Sequence, residues 1–190
     1  SGSMNVVWLA LTTRFKDKHE LAEWAYAIEN ATKVVGGKQD QYAAVLGGIN
    51  FLKFDNSHRV TIERIKLRNN VLRKLESRLF LDYTGPRMSS DINDSIVRNF
   101  MNKRKKTIDV FKEIIQNVKK MKTGLSKGDL DCFAGCLNKE WTLRKKLHPN
   151  VTTKKIEERI KFAMNNGASA AKVCGAGGGG SILFYAENKS

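Results

Sequence analysis

Lys172-Val-Cys-Gly-Ala-Gly-Gly-Gly-Gly-Ser-Ile-Leu183 is the stretch that decides how this 190-residue chain reads. Five glycines fill the six positions 175–180. Glycine contributes nothing to a helix or strand and loses the most backbone freedom on folding. A run of it is therefore kept where backbone must come close to something or take positive φ, and successive N–H groups there can form anion-binding nests. The flanks, Ser169 to Cys174 and Ser181 to Tyr185, read as strands, so the unit is strand, glycine loop, strand. Gly175-x-Gly177-x-x-Gly180 has the letters of the dinucleotide fingerprint, but that motif opens a helix and needs an acidic residue about 20 positions on. Here a strand follows, and ten residues remain after the loop. A Walker-type phosphate loop needs Gly-Lys-Ser/Thr, which Gly180-Ser181-Ile182 lacks. The protein-kinase glycine loop also lies between strands but precedes a Val-Ala-Ile-Lys strand that is missing here. An unliganded hairpin loop is the plain alternative.

Outward from the loop, Ile156, Ile160 and Met164 recur at helical spacing and stop at Asn166-Gly167. Ser126-Lys-Gly-Asp129 opens another helix with Leu130, Phe133, Leu137 and Trp141 facing inward, closed by Pro149. Val97, Phe100, Met101, Ile108, Phe111, Ile115 and Val118 predict one long helix capped at Ser89 or Ser90, with the Lys103–Lys106 run on its other faces. Arg78 to Thr84 reads as a strand closed by Gly85-Pro86. Ile49 to Phe54 and Arg59 to Glu63 read as two more, joined by turn residues Asp55-Asn56-Ser57. Asp17 followed by Glu20 resembles a capping box. It opens a helix to about Ala31 with Leu21, Trp24, Ala25 and Ile28 inward, before Gly36-Gly37 breaks it. Strands grouped at the two ends with helices between them predict an α+β layering. A polar, basic seam around Lys66 to Lys74 separates the strand groups.

The chain carries 34 Lys+Arg against 19 Asp+Glu, a formal charge of +15. Such an excess attracts polyanions, including nucleotide phosphates. The basic runs at Lys103–Lys106, Lys119-Lys-Met-Lys122 and Arg144–Lys146 make a nucleic-acid-binding module the rival class. They sit on the polar faces of amphipathic helices, and neither zinc-finger spacing nor an RNP aromatic pattern accompanies them, so nucleic acid is not the expected partner. No apolar run approaches the ~18 residues of a membrane span; Val6 to Leu11 is too short. Three cysteines without a Cys-x-x-Cys pair suit a reducing, cytoplasmic setting. Cys132 and Cys136 share a helix face but lack further metal ligands nearby, and are expected to serve as small core hydrophobes.

The glycine motif resembles the C-terminal glycine motif of the GHMP kinases, the group named for galacto-, homoserine, mevalonate and phosphomevalonate kinases. Its position between two strands near the C-terminus matches as well. A second segment, Gly36-Gly-Lys-Gln-Asp-Gln-Tyr-Ala-Ala44, is similar to the Gly-x-x-Asp-Gln segment of sugar kinases in that family, above all those acting on heptose 7-phosphate. The resemblance implies that Asp40 is the carboxylate facing the acceptor hydroxyl, with Gly37 and Gln41 beside the substrate. Phosphoryl transfer needs an alcohol held in line and a group to orient or take its proton. Taken alone, an Asp beside Gln in a polar loop is usually a cap or a solvated turn residue. Glu29, eleven residues earlier, stands near the spacing at which related kinases place a Mg2+-binding Glu; Glu20 and Glu23 share its helix.

Tyr83-Thr-Gly-Pro-Arg-Met-Ser-Ser90 resembles the heptokinase strand end, and Arg87 there suits a phosphate on the sugar. The loop residues Gly175, Ala176, Gly177, Gly178, Gly179 and Gly180 are implied to lie against the nucleotide-phosphate loop. The implied architecture is a ferredoxin-like split β-α-β C-terminal domain over 67–190, with 1–66 the remnant of an N-terminal domain. The implied cofactors are ATP and Mg2+. The resemblance runs from about Glu20 onward and omits the family's Gly-x-Gly-Ser-Ser-Ala-type loop. Ser1-Gly-Ser-Met-Asn5 reads either as the last of that loop or as an expression tag. The chain by itself is therefore expected to be inactive. A non-catalytic regulatory relative is the third reading, against which Asp40 counts.

Overall fold

The computed structural model describes residues 2–31, 36–55, 59–86 and 91–187. The chain divides into two compact units, residues 1–66 and 67–190.

The first unit begins with helices α1 (Gly2–Thr12), α2 (Lys18–Ala31) and α3 (Gln39–Leu46). Strands β1 (Asn50–Phe54) and β2 (Val60–Arg64) follow as an antiparallel hairpin pairing Asn50 with Arg64 and Phe54 with Val60. The Asp17–Glu20 signal acts as read: Asp17 Oδ1 accepts the Glu20 N–H at 2.8 Å, and Glu20 Oε2 reaches back to the Lys16 N–H at 2.7 Å. Val6, Leu9 and Ala25 form a small core with Phe15, Leu21, Ile28 and Val45 packed on it. Trp24, expected inside, is 54% exposed. The helices meet at the fully buried Ala22 and Ala25, a close approach that leaves no room for an indole.

The second unit runs α4 (Asn69–Arg78), β3 (Leu79–Tyr83), α5 (Ile92–Met101), α6 (Lys105–Lys127) and α7 (Leu130–Lys145). A 3-10 turn (Pro149–Val151), α8 (Lys154–Asn165), β4 (Ala168–Val173) and β5 (Ser181–Ala186) complete it. The sheet order is β3-β5-β4 with both outer strands antiparallel to β5. β3 and β4 are thus parallel to each other and joined through the helices, a split β-α-β arrangement. Strand alternation puts Ile182 and Phe184 of β5 on the helical face with Ala171 and Val173 of β4. There they join Ile92, Ile96, Val110, Trp141, Leu143 and Ile156 in the main core. The predicted inward residues of α7, Leu130, Phe133, Leu137 and Trp141, are all buried, and so is Cys136. Asp129 caps that helix by accepting the Cys132 N–H at 2.8 Å. Thr153 caps α8 in the same way.

One further expectation fails. The long helix is two, α5 and α6, because Lys103 takes φ 52° and closes a Schellman turn. Its N–H bonds Phe100 O at 2.9 Å, and the Arg104 N–H bonds Asn99 O at 3.0 Å. Val97, Phe100, Met101, Ile115 and Val118, drawn into the inward stripe, are exposed. Burial passes instead to Ile92, Ile96, Val110 and Leu125. The two units divide within the basic seam read around Lys66 to Lys74, which also holds the start of α4, with Leu75 buried. The capping serines Ser89 and Ser90, and the turn residues Asn56 and Ser57, lie outside the described residues. Among the described residues no helix is long and apolar enough to cross a membrane.

Candidate functional site

The glycine loop takes its shape from backbone that only glycine adopts easily. Gly175, Gly177, Gly178, Gly179 and Gly180 all have positive φ, from 72° to 148°. At Gly177 space is decisive as well: a Cβ would stand 2.2 Å from Val151 O. The Gly178 N–H donates to that same Val151 carbonyl at 2.9 Å, so the loop lies directly on the 3-10 turn. On its other side the Gly180 N–H donates to Gly85 O at 2.8 Å. Thr84 returns two bonds to Gly180 O, from its N–H at 2.8 Å and from Oγ1 at 2.9 Å. Arg144 Nη2 holds Gly175 O at 2.9 Å, and Lys155 Nζ holds Thr84 O at 2.8 Å. Two loop N–H groups are thus spent internally. Those of Gly175, Ala176, Gly177 and Gly179 meet no backbone acceptor among the described residues and are the ones a ligand can use.

In the first unit Asp40 sits in the first turn of α3, exposed. Helix α3 has no side-chain cap, and among the described residues nothing bonds the Asp40 carboxylate. A carboxylate there gains from the helix N-terminal charge without being tied down. The next residue, Gln41, is 2% exposed and donates from Nε2 to Glu29 Oε2 at 2.6 Å. Its Oε1 is buried without a partner. The first turn of α1 abuts the same pair: a Cβ on Gly2 would lie 3.2 Å from Glu29 Oε2 and 3.3 Å from Gln41 Nε2. Gln41, expected beside the substrate, is joined to Glu29 by this bond. Gly37 is exposed just before α3, and Arg87 lies outside the described residues.

Three residues that sequence reasoning missed hold α2 and α3 together. Lys38 Nζ reaches Glu23 Oε2 at 2.5 Å, and Tyr42 OH donates to Glu23 Oε1 at 2.6 Å. Partial burial alone would raise the Glu23 pKa. The hydrogen bonds from Lys38 and Tyr42, with the Lys38 charge, outweigh it and hold the carboxylate below its ordinary value. The Tyr42 phenol is pushed up, first by burial and then by its bond to the anionic Glu23. Its ring packs edge-on to His19 at 5.4 Å and Phe54 at 6.1 Å. No local pattern announces this triad, because its members are 15 and 19 residues apart. Lys38 is the one cation placed by the chain within two residues of Asp40 on the side where the glycines end.

Residues 121–190 match the family model described as GHMP kinases C terminal. The chain is 34% identical over 172 residues to the D-glycero-alpha-D-manno-heptose 7-phosphate kinase of Campylobacter jejuni, covering 90% of this chain and 50% of that protein. The crystal structure of a D-glycero-D-manno-heptose 1-phosphate kinase from Bacteriodes thetaiotaomicron superposes with a TM-score of 0.69 at 27% identity, over 98% of this chain and 51% of the other. L. major mevalonate kinase, solved with R-mevalonate, superposes with a TM-score of 0.75 over 99% of this chain and 57% of its own; at 19% identity it shares the fold alone. The chain spans about half the length of the relatives it matches. A glycine loop between antiparallel strands, shaped by five positive-φ glycines, and this set of relatives have one common meaning: the chain carries a GHMP kinase C-terminal domain.

Proposed function

We propose that this chain provides the acceptor side of an ATP-dependent sugar kinase, with a heptose 7-phosphate as the favoured acceptor. The 34% identity to a heptose 7-phosphate kinase across 90% of the chain carries this reading. Within it, residues 1–66 are the tail of an N-terminal domain and 67–190 the C-terminal domain, working in the cytoplasm. Asp40 takes or orients the proton of the attacking hydroxyl, a role suited to a carboxylate that is exposed and committed to no other group. Gly37 lets the sugar come close to backbone, Gln41 keeps Glu29 in place, and Arg87 takes the phosphate of the sugar. The loop from Gly175 to Gly180 closes against the nucleotide phosphates with its remaining N–H groups.

A Mg2+ site at Glu29 fits the residues present. Mg2+ keeps most of its ligands as water and phosphate oxygens and needs few carboxylates. Glu29 offers one, with Gly2 in the first turn of the eleven-residue helix α1 close beside it. Among the described residues no cluster of three or more metal-binding side chains competes with it. Bound ATP supplies the phosphoryl group, and the ion offsets charge on its phosphates.

The test is a panel of heptose phosphates, other sugars and mevalonate with ATP. It is run on the complete polypeptide as the cell makes it, on its Asp40→Asn variant, and on the 190-residue chain alone. Sugar-dependent ADP release is expected from the first and from neither of the others. Full activity in the Asp40→Asn variant, or turnover by the 190-residue chain alone, refutes the assignment.

A further inference from the structure

The second unit contains a groove of about 770 Å3 between α8 and the β3 side of the sheet, lined by none of the residues assigned above to sugar, nucleotide or metal. Its floor is Phe80 of β3 stacked on Phe184 of β5, centroids 5.2 Å apart and planes 18° from parallel. Phe184 is buried, but Phe80 is 47% exposed, and Phe162 on the α8 wall is 71% exposed. The opening has a steric origin. Where α8 and the strands face each other at this end the side chains are Ala163, Ala168 and Ala186, which cannot fill the space. Two bare aromatic rings in one concave site bury well against a flat ring.

The polar rim leaves one charge unmatched. Asp82 is held by both of its oxygens on Arg159 Nη1, at 2.7 and 2.5 Å. Glu158 lies 3.8 Å from Lys154. Lys155 has no carboxylate within ion-pair distance among the described residues; its Nζ bonds only the carbonyl of Thr84. An ammonium has three donors, so two remain for a ligand. That same Thr84 carries the two bonds to Gly180 O. The rim of the groove is therefore one residue away from the glycine loop in an unbroken hydrogen-bond chain, Lys155 to Thr84 to Gly180.

We propose that this groove is an effector site for a small, flat aromatic anion, with the ring between Phe162 and Phe80 and the anionic group on Lys155. Occupancy draws Lys155 from Thr84 O and changes the hold of Thr84 on Gly180. A ligand shifts such an equilibrium by its different affinity for the two arrangements. The site does not depend on the kinase reading, since none of its residues touches sugar or nucleotide in that reading.

The test uses the 190-residue chain with 1-naphthoate as probe and neutral 1-naphthalenemethanol as comparison, followed by isothermal calorimetry and amide NMR. Phe162→Ala, at an exposed position, is expected to weaken both probes about tenfold. Lys155→Met is expected to weaken the naphthoate about tenfold and leave the alcohol unchanged. Saturable naphthoate binding should shift the Gly178 and Gly180 amides in the parent chain and leave them still in Lys155→Met. Absence of saturable binding, or equal affinity in parent and both variants, overturns the site. Binding with motionless glycine amides overturns its link to the loop.

Discussion

Between β4 and β5 the chain is held by backbone, and at the start of α3 it is held by side chains. The loop has its carbonyls and N–H groups tied to Val151, Gly85, Thr84 and Arg144, and its glycines are there for the conformations and the space they permit. The α3 region has Glu23 clasped by Lys38 and Tyr42, and Glu29 clasped by Gln41, with Asp40 left free between these braces. The difference matches the two tasks proposed for them. A surface that meets phosphate through N–H groups must have those groups pre-aimed, which backbone geometry does at no cost when the ligand arrives. A carboxylate that handles a proton must stay unpaired, so structure is spent on its neighbours instead.

The widest separation between the two regions should come from Asp40→Asn in the complete polypeptide. Phosphoryl transfer is expected to fall about 10²–10⁴-fold. The urea unfolding free energy should move by no more than about 0.5 kcal/mol, because among the described residues nothing bonds the side chain. Gly177→Ala reverses the pattern: positive φ and a Cβ 2.2 Å from Val151 O should cost about 3 kcal/mol, read from the urea midpoint. A loss as small as at an ordinary surface site would show that the loop is not seated on the 3-10 turn.

Next comes Tyr42→Phe, which removes a hydrogen bond to a carboxylate and should cost about 1.5 kcal/mol. Its pH dependence separates it from a packing loss. The Glu23 pKa is lowered on folding, so its contribution is present above the ordinary value of 4.5 and is lost as pH falls through the folded value. The Tyr42 pKa is raised, so its contribution is full below 10.0 and fades as pH rises past it. Parent and Tyr42→Phe stabilities should therefore differ most at neutral pH and converge at both extremes; a constant difference across pH would mean the bond contributes nothing. The smallest effect is expected at Gly180→Ala, where φ is 84° but a Cβ meets nothing within 4 Å. Only the left-handed backbone penalty remains there, about 1 kcal/mol by the same urea measurement. A Gly180 loss equal to that of Gly177 would make conformation, and not the Val151 contact, the controlling factor in the loop.

Local signals were legible wherever one short segment holds the whole cause. The Asp17 and Asp129 caps act within three residues of themselves, and the inward stripe of α7 repeats within a few turns. The end of α5 was hidden for the complementary reason: its left-handed position holds Lys103, not the glycine that usually marks one. With that stop unread, α5 and α6 read as one helix; the buried stripe itself includes the polar Thr107 and Asn117, which an apolar pattern does not mark. In the candidate site, the loop and Asp40 stood out in the sequence, but their supports did not. Thr84 and Gly180 are 96 residues apart, Lys155 and Thr84 71, and Glu29 and Gln41 12.

The sequence by itself determined that residues 175–180 must be a glycine-shaped loop between two strands, since no other reading tolerates five glycines there. It also determined that the basic excess lies mostly on polar helix faces. Only the tertiary structure decided that Gly177 has no room for a side chain, and that Lys155 serves Thr84. Only it showed that Gln41 bonds Glu29 and that, among the described residues, nothing bonds the Asp40 carboxylate. Those facts depend on which carbonyl or carboxylate meets a given group across tens of residues of intervening chain, and no periodicity along the sequence encodes that.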